Sequence, residues 1–382
     1  MTPTEKDQVI KEMEETAKAA ELLGLSEVTD WCSTGCTPLD LAIANKLPGG
    51  VPIGRVIQLF GGASTAKTVL ATTILGYALR SGKQAYLADV EHTLVPTFAR
   101  YYGLDCANPD FFCGYSFSDK KHDNDQPVTL EEFFDEWLAG ILKSRSRKPK
   151  IVVVDSITAL PSAIELKTSM TEQGFATSRA KAISLGLRKY LGEINRKNVT
   201  LICIDQTRDN VGGFGSSEVT NGGRGLEFYS SVRLYLKHDK DVVNTQKKEI
   251  GIWVKFKVDK NKVGPPFRRG HFKILFDYGL DDVTSMLSWL VGADPECKKD
   301  EEYLMTTSIA LPVCSKCGCI QNEMSVACKS KNCDGFPELL AKRIMDWVAY
   351  IEENNQEINL RQYVSKVWKE EYATEERKVR VW

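Results

Sequence analysis

The stretch GGASTAKT, residues 61–68, follows the apolar run Val56, Ile57, Leu59, Phe60 and decides how the rest of the chain is read. It departs from the phosphate-loop pattern G-x-x-x-x-G-K-[ST] at one position, where Ala66 stands in place of the second glycine. A loop between a buried strand and a helix aims backbone N–H groups and the positive end of the helix dipole at phosphates. In that arrangement Gly61, Gly62, Ala63, Ser64, Thr65, Ala66, Lys67, Thr68 and Val69 form a nucleotide cradle. Lys67 reaches the β- and γ-phosphates and the Thr68 hydroxyl ligates Mg²⁺. The second glycine serves backbone conformation and close approach, so alanine is a small change on one condition: the position must have helical φ and ψ. Alone, the loop also fits a strand-to-helix turn with a chance Lys-Thr. The apolar run IVVVD, ending in Asp155, narrows the choice, because a carboxylate at that strand end orders the Mg²⁺ hydration shell. The two halves together are much rarer by chance than either.

Short β-rich runs alternate with helical stretches around this loop. GRVIQLF, the helix after Lys67, QAYLADVE, a helix opened by the capping box Thr129 to Glu132, IVVVD, a helix over Arg179 to Asn195 and VTLICIDQ follow in order. That alternation predicts an α/β core, a mostly parallel sheet with crossover helices on its faces. VRLYLKH, IGIWVKFKVDK and HFKILFD come in close succession with period-two alternation, which predicts antiparallel strands extending one side of the sheet. Three regions are expected: an N-terminal helical oligomerisation segment over 1–32, an ATPase core over 33–294, and a C-terminal region over 295–382 with a helical tail from about Pro337. The first begins with the Thr2-Pro3-Thr4-Glu5 capping box and runs on apolar residues at helical spacing to Gly24.

Composition bounds the function classes. The chain has 382 residues, 42% hydrophobic and 26% charged, enough for a substantial core. Apolar runs stay short of the roughly 18 residues of a membrane span, and the charged start MTPTEKDQVIK is unlike a signal peptide. These features predict a cytoplasmic protein with no membrane partner. The net charge of −1 supplies no overall basic field, so contact with nucleic acid must come from local elements. Eleven cysteines in such a chain argue against a disulfide framework. Cys314-x2-Cys317 and Cys328-x4-Cys333 offer two thiolate pairs on short knuckles, which suit tetrahedral Zn²⁺; Cys319 is a spare ligand, and an Fe–S cluster is the other metal reading. A zinc-ribbon-like element over about 311–336 is expected, packed on the core or touching DNA.

STGCTPLDLAI, GGVPIGRVIQLFGGASTAKT, LADVEHTLVPTFARYYGLD, IVVVDSITAL, IDQTR, NGGRGLEFYSSVRL and VDKNKVGPPF occur in the order and approximate spacing of the RecA recombinase family, over about residues 33 to 290. The chain resembles that family, and its altered loop is similar to phage recombinases of the UvsX type, which also lack the second glycine. The resemblance implies a RecA-like P-loop ATPase that uses ATP and Mg²⁺, forms a helical filament on single-stranded DNA, pairs it with double-stranded DNA and catalyses strand exchange. Single-strand-binding and loader proteins are further implied partners, in the cytoplasm of a bacterium or a phage-infected host. It implies that Glu91 is the general base for the attacking water, that Gln206 senses the γ-phosphate, and that Phe98 packs on the adenine. Val95 departs from an acidic residue of the family near the base, which bears on the strictness of ATP preference. Lys260 and Lys262 correspond to lysines that reach across the filament interface to the neighbour's nucleotide, much as an arginine finger does.

Two DNA-binding loops are implied as well. NVGGFGSSEVTNGG, residues 210–223, corresponds to the second, with Gly212, Gly213, Gly215, Gly222 and Gly223 offering amides to phosphates and Phe214 wedging between bases. The first covers residues 167–181, where Arg179 and Lys181 contact phosphates and Met170 or Phe175 inserts. A rival from a different class keeps the fold as a non-hydrolysing mediator that has lost turnover through Ala66 and Val95. A hexameric helicase fits the loops and paired lysines less well.

Overall fold

The computed structural model describes residues 27–114, 126–167, 175–209, 218–292, 308–322, 328, 333 and 337–372. The expected leading helix before Gly24 lies outside these residues, as do Gly212, Gly213, Phe214 and Gly215. A small antiparallel pair, β1 (Trp31–Cys32) with β2 (Val51–Pro52), brackets helix α1 (Thr37–Ala44). The nucleotide-loop unit follows as β3 (Val56–Gly61), α2 (Lys67–Arg80), β4 (Gln84–Asp89), α3 (Pro96–Tyr101) and β5 (Phe111–Cys113). A helix α4 is built from Leu130–Glu132, a π-helical stretch Phe133–Leu138 and Ala139–Lys143. It opens as its sequence predicts, with Thr129 Oγ1 accepting from the Glu132 N–H at 3.1 Å.

Strand β6 (Lys150–Asp155), helices α5 (Ala163–Lys167) and α6 (Phe175–Arg196), and strand β7 (Val199–Asp209) complete the parallel part. Then come β8 (Glu218–Thr220), α7 (Gly223–Tyr229), β9 (Val232–Val243), β10 (Glu249–Asn261), β11 (Arg269–Leu275), β12 (Gly279–Asp281) and α8 (Asp282–Leu290). Strands β12-β11-β10-β9-β3-β7-β6-β4-β5 form one sheet in that order, with β8 on β7. Pairs from β9 through β5 are parallel, whereas β9 to β12 are antiparallel, as the period-two runs predict. The fold is therefore a RecA-like α/β sheet flanked by helices.

Alternation along the central strands builds two cores. Ile57, Leu59, Ile151, Val153, Ile202 and Ile204 face the side covered by α1, α2 and α8. Val56, Val152, Val154, Leu201 and Cys203 face α4 and α6, where Trp137, Phe133 and Leu187 close the second core.

Beyond residue 308 the structure corrects one expectation. Pro337–Arg343 is not the start of a helix but strand β14, paired antiparallel with β13 (Ser308–Cys314) so that Leu340 lies opposite Leu311. Its proline sits at the first residue, one of the places in a ladder that tolerate a missing N–H. The tail becomes helical only at α9 (Ile344–Glu353), followed by α10 (Glu357–Glu371). Trp347 and Trp368 are fully buried and belong to the same core as α1 and α8. Their rings are spent on packing and form no platform for bases. Arg361 of α10 pairs with the buried Asp282 at 3.0 Å, which in turn accepts from the Thr37 N–H at the start of α1.

Candidate functional site

Parallel register brings the ends of four strands together. Gly61 lies opposite Gln206, and Asp89 lies opposite Asp155. Above these ends is a cavity of about 430 Å³ lined by the loop from Ala63 to Val69 and by Glu91, Asp155 and Gln206. This is the topological place at which open parallel sheets bind ligands, outside the carboxyl ends of the strands. Gly61 is required by packing: a Cβ there would stand 2.1 Å from the Leu236 carbonyl oxygen of the neighbouring strand.

The loop overturns the condition set for Ala66. The residue caps α2 at φ 66° and ψ 23°, the left-handed region, and Ser64 shares it at φ 56°. Alanine there costs about 1–2 kcal/mol through crowding of its Cβ. The alanine therefore carries a conformational cost at this position that a glycine would not.

Lys67 is buried, its ammonium folded into the loop and donating to the Gly61 and Gly62 carbonyls. Burial lowers its proton affinity, partly offset by the nearby Asp155 and Glu91. The Thr68 hydroxyl donates to Asp155 Oδ2 at 2.6 Å. Burial pushes the Asp155 carboxyl up to about 6, with the hydrogen bond from Thr68 opposing and the charges of Glu91 and Asp89 reinforcing. The two residues expected to share Mg²⁺ are therefore in direct contact, presenting a hydroxyl and a carboxylate to one point.

Glu91 is held by its backbone. Its N–H donates to the Asp155 carbonyl, and the buried Asp89 accepts from the Thr93 and Leu94 N–H groups to set the following turn. Its carboxylate then accepts from Ser156 Oγ at 2.7 Å and from Gln206 Nε2 at 3.3 Å. The Ser156 contact was not anticipated in the sequence; the signal available was only its adjacency to Asp155.

Other predicted residues lie elsewhere. Phe98 is 53% exposed on α3 and is not part of the cavity wall, where Tyr102, Ile252, Ile274 and Phe276 supply the apolar side instead. Those four were missed because β10, β11 and the turn after α3 reach the cavity only through the fold. Val95 caps α3 and is exposed. Arg179 donates to the Thr158 carbonyl at 3.0 Å and pairs with Glu165 at 3.4 Å, so its charge is engaged within the protein; Lys181 is exposed. Gly222 donates its N–H to the buried Asp205 carboxylate at 3.0 Å, and Gly223 adopts φ 71° at the start of α7.

Lys260 and Lys262 are absent from the cavity wall of their own chain. The Lys260 ammonium donates to the Glu227 and Phe228 carbonyls at the end of α7, at 2.7 and 2.9 Å, and Lys262 stands 5.8 Å over the exposed Phe228 ring. Both therefore lie outside the cavity lining of their own protomer, Lys260 half-buried against the end of α7 and Lys262 exposed.

The cysteine cluster forms a second site. The four sulfurs of Cys314, Cys317, Cys328 and Cys333 lie within 4.8 Å of one another, with Cys314–Cys333 at 3.6 Å and Cys317–Cys328 at 3.5 Å. A tetrahedron with metal–sulfur bonds of about 2.3 Å places its sulfurs about 3.8 Å apart, so the set fits zinc. Backbone N–H groups of Cys317 and Lys316 hold the Cys314 thiol down to about 6, the knuckle geometry that favours a thiolate. Gly318 completes the turn at φ 72°.

The RecA N-terminal domain family matches residues 7–281. Protein RecA of Thermus aquaticus is 34% identical over 297 residues, covering 75% of this chain and 80% of the relative. Protein RecA of Clostridium tetani is 37% identical over 256 residues, 67% of each chain, and that of Trichodesmium erythraeum is 35% identical over 305 residues, 78% of each. The crystal structure of the RadB recombinase overlays with a TM-score of 0.46 at 21% identity, covering 66% of this chain and 99% of that one. The family match runs through the strand, loop and helix that build the cavity, through Glu91, Asp155 and Gln206, and as far as the antiparallel strands: the chain belongs to the RecA family.

Proposed function

We infer that this protein is a DNA-dependent ATPase that assembles on single-stranded DNA and promotes homologous pairing and strand exchange in recombination and repair. The observation that carries the reading is the shared contact of Glu91 with Ser156 and Gln206 at the mouth of the loop cavity. A carboxylate fixed there is placed to polarise a water against the terminal phosphate. Gln206 lies on β7, the strand that leads directly into residues 210–217, so a change at the phosphate and a change at the DNA loop act on one backbone. Mg²⁺, held through Thr68 and Asp155, would supply charge neutralisation across the phosphates. Lys67 and the loop amides orient the triphosphate, while Tyr102 and Phe276 offer aromatic faces for the base.

The surface position of Lys260 and Lys262 supports a role at the nucleotide of a neighbouring protomer. Single-strand-binding and loader proteins, a cytoplasmic setting and the division into segments at 33 and 294 belong to the same proposal. The likeness to phage recombinases rests on residues 61–68 alone. The four thiolates support one zinc ion in a closed site, which has no open position for catalysis and serves folding.

Phosphate release measured with and without single-stranded DNA tests the central claim. Wild-type protein is expected to show DNA-stimulated hydrolysis. Glu91→Gln is expected to abolish turnover while leaving nucleotide binding largely intact, because it removes a base and no phosphate contact. A wild type without DNA-stimulated release favours the non-hydrolysing mediator instead.

A further inference from the structure

The hairpin turn between β10 and β11, residues 262–268, follows Lys260 and contains Lys262; it ends at Arg268, a residue the sequence motifs leave without a role. Arg268 is 9% exposed, and no carboxylate pairs with it among the described residues. Its guanidinium instead donates to Asn45 Oδ1 at 2.8 Å and to the Leu41 carbonyl at 3.3 Å, both at the end of α1. It lies 5.1 Å from the Trp368 ring and 4.6 Å from the Tyr372 ring, at the end of α10. Trp368 Nε1 donates to the same Asn45 oxygen at 3.1 Å, so arginine, asparagine and tryptophan lock one another. A buried guanidinium between aromatic faces is an expensive and directional arrangement, which lysine cannot reproduce.

The lock is attached at both ends. On one side, Arg268 accepts from the Val258 N–H at 2.8 Å through its carbonyl, and Asn261 donates to the Ile43 carbonyl at 2.8 Å, so the turn around Lys260 and Lys262 is held on α1. On the other side, α10 is fastened to the cysteine element: Ile320 donates to Gln356 at its start, and Lys366 donates to the Asn322 carbonyl at 2.9 Å. Tyr350 of α9 donates to the carbonyl of Gly318, inside the knuckle.

We propose that Arg268 is a positioning residue through which the cysteine-bearing C-terminal region holds the Lys260–Lys262 segment in place for a neighbouring protomer's nucleotide. This rests on the reading that these lysines act across protomers. A group misplaced by about 1 Å can lower a rate by as much as 100-fold, so a loosened segment is read in kcat.

The test uses full-length Arg268→Gln, with Tyr372→Leu as a second variant that leaves the buried Trp368 in place. ATP hydrolysis on single-stranded DNA is expected to lose about tenfold in kcat for Arg268→Gln and less for Tyr372→Leu, with KM for ATP within about twofold, since the nucleotide cradle is untouched. Mixing Arg268→Gln protein with Glu91→Gln protein is expected to restore hydrolysis, because the first supplies a sound cavity and the second supplies soundly placed lysines. Lys262→Ala mixed with Glu91→Gln is the control. Rescue of Lys262→Ala without rescue of Arg268→Gln overturns the positioning role and leaves the shared site standing. Wild-type kcat in both Arg268→Gln and Tyr372→Leu overturns it as well. Failure of the Lys262→Ala mixture, with both proteins folded and co-assembling, removes the shared site and this inference with it.

Discussion

Replacing Ala66 with glycine is expected to stabilise the protein, opposite to the usual effect of putting a glycine inside a helix. Ala66 sits at φ 66° and ψ 23°, where Cβ crowding costs an L-residue about 1–2 kcal/mol. Glycine escapes that crowding but surrenders more chain entropy on folding, a counter-effect of about 0.4–1 kcal/mol. The crowding is the larger effect, which leaves roughly 0.5–1 kcal/mol in favour of Ala66→Gly. Urea unfolding of wild type and variant reads this as a higher midpoint at an unchanged slope. Protein concentration is kept equal, because self-assembly adds to apparent stability by mass action. At an ordinary right-handed helical position the same substitution would cost about 0.4–1 kcal/mol. A variant that is less stable than the wild type by that amount therefore refutes the left-handed assignment and restores the view of Ala66 as an unstrained change.

Two further outcomes concern the cysteine cluster and a buried carboxylate. Cys317→Ser combined with Cys328→Ser is expected to remove about one zinc per chain and to loosen residues around 308–343 while ATP binding persists; stoichiometric zinc in the purified double variant would refute the ligand set. Asp40 is buried, accepting from the Thr34 N–H at 2.7 Å and the Thr34 hydroxyl at 2.6 Å, and burial pushes its carboxyl up to about 6, with Asp282 nearby adding to the rise. A raised folded-state value means that the folded protein holds this proton more tightly than the unfolded chain, so the stabilisation is complete below the unfolded value and is lost as pH rises through about 6. The stability advantage of wild type over Asp40→Asn is expected to shrink by on the order of 2–3 kcal/mol from about pH 4 to about pH 7. A difference that stays flat over that range would show that Asp40 titrates normally.

The sequence by itself determined the α/β class, the position of the loop on a strand-to-helix junction and the pairing of Lys67 and Thr68 with a carboxylate, Asp155, at a strand's end, while Glu91 and Gln206 entered only through the family resemblance. Those signals are local: an apolar run, a loop of small residues and a polar residue at a strand's end are contiguous in the chain and carry their chemistry with them. The cysteine spacing was legible for the same reason. What the sequence leaves open depends on neighbours far along the chain. The left-handed path of Ala66 belongs to the connection between β3 and α2, and the residue type there does not announce it. The strand at Pro337–Arg343 exists because β13 offers it a ladder, and no propensity within the segment announces that partner. Tyr102 and Phe276 reach the cavity, and Phe98 stays outside it, through packing that periodicity does not encode. Arg268 shows the same limit most clearly: in sequence it is one more basic residue after a turn, and only tertiary packing surrounds it with Asn45, Trp368 and Tyr372, 323 residues of chain separating the first two of these partners.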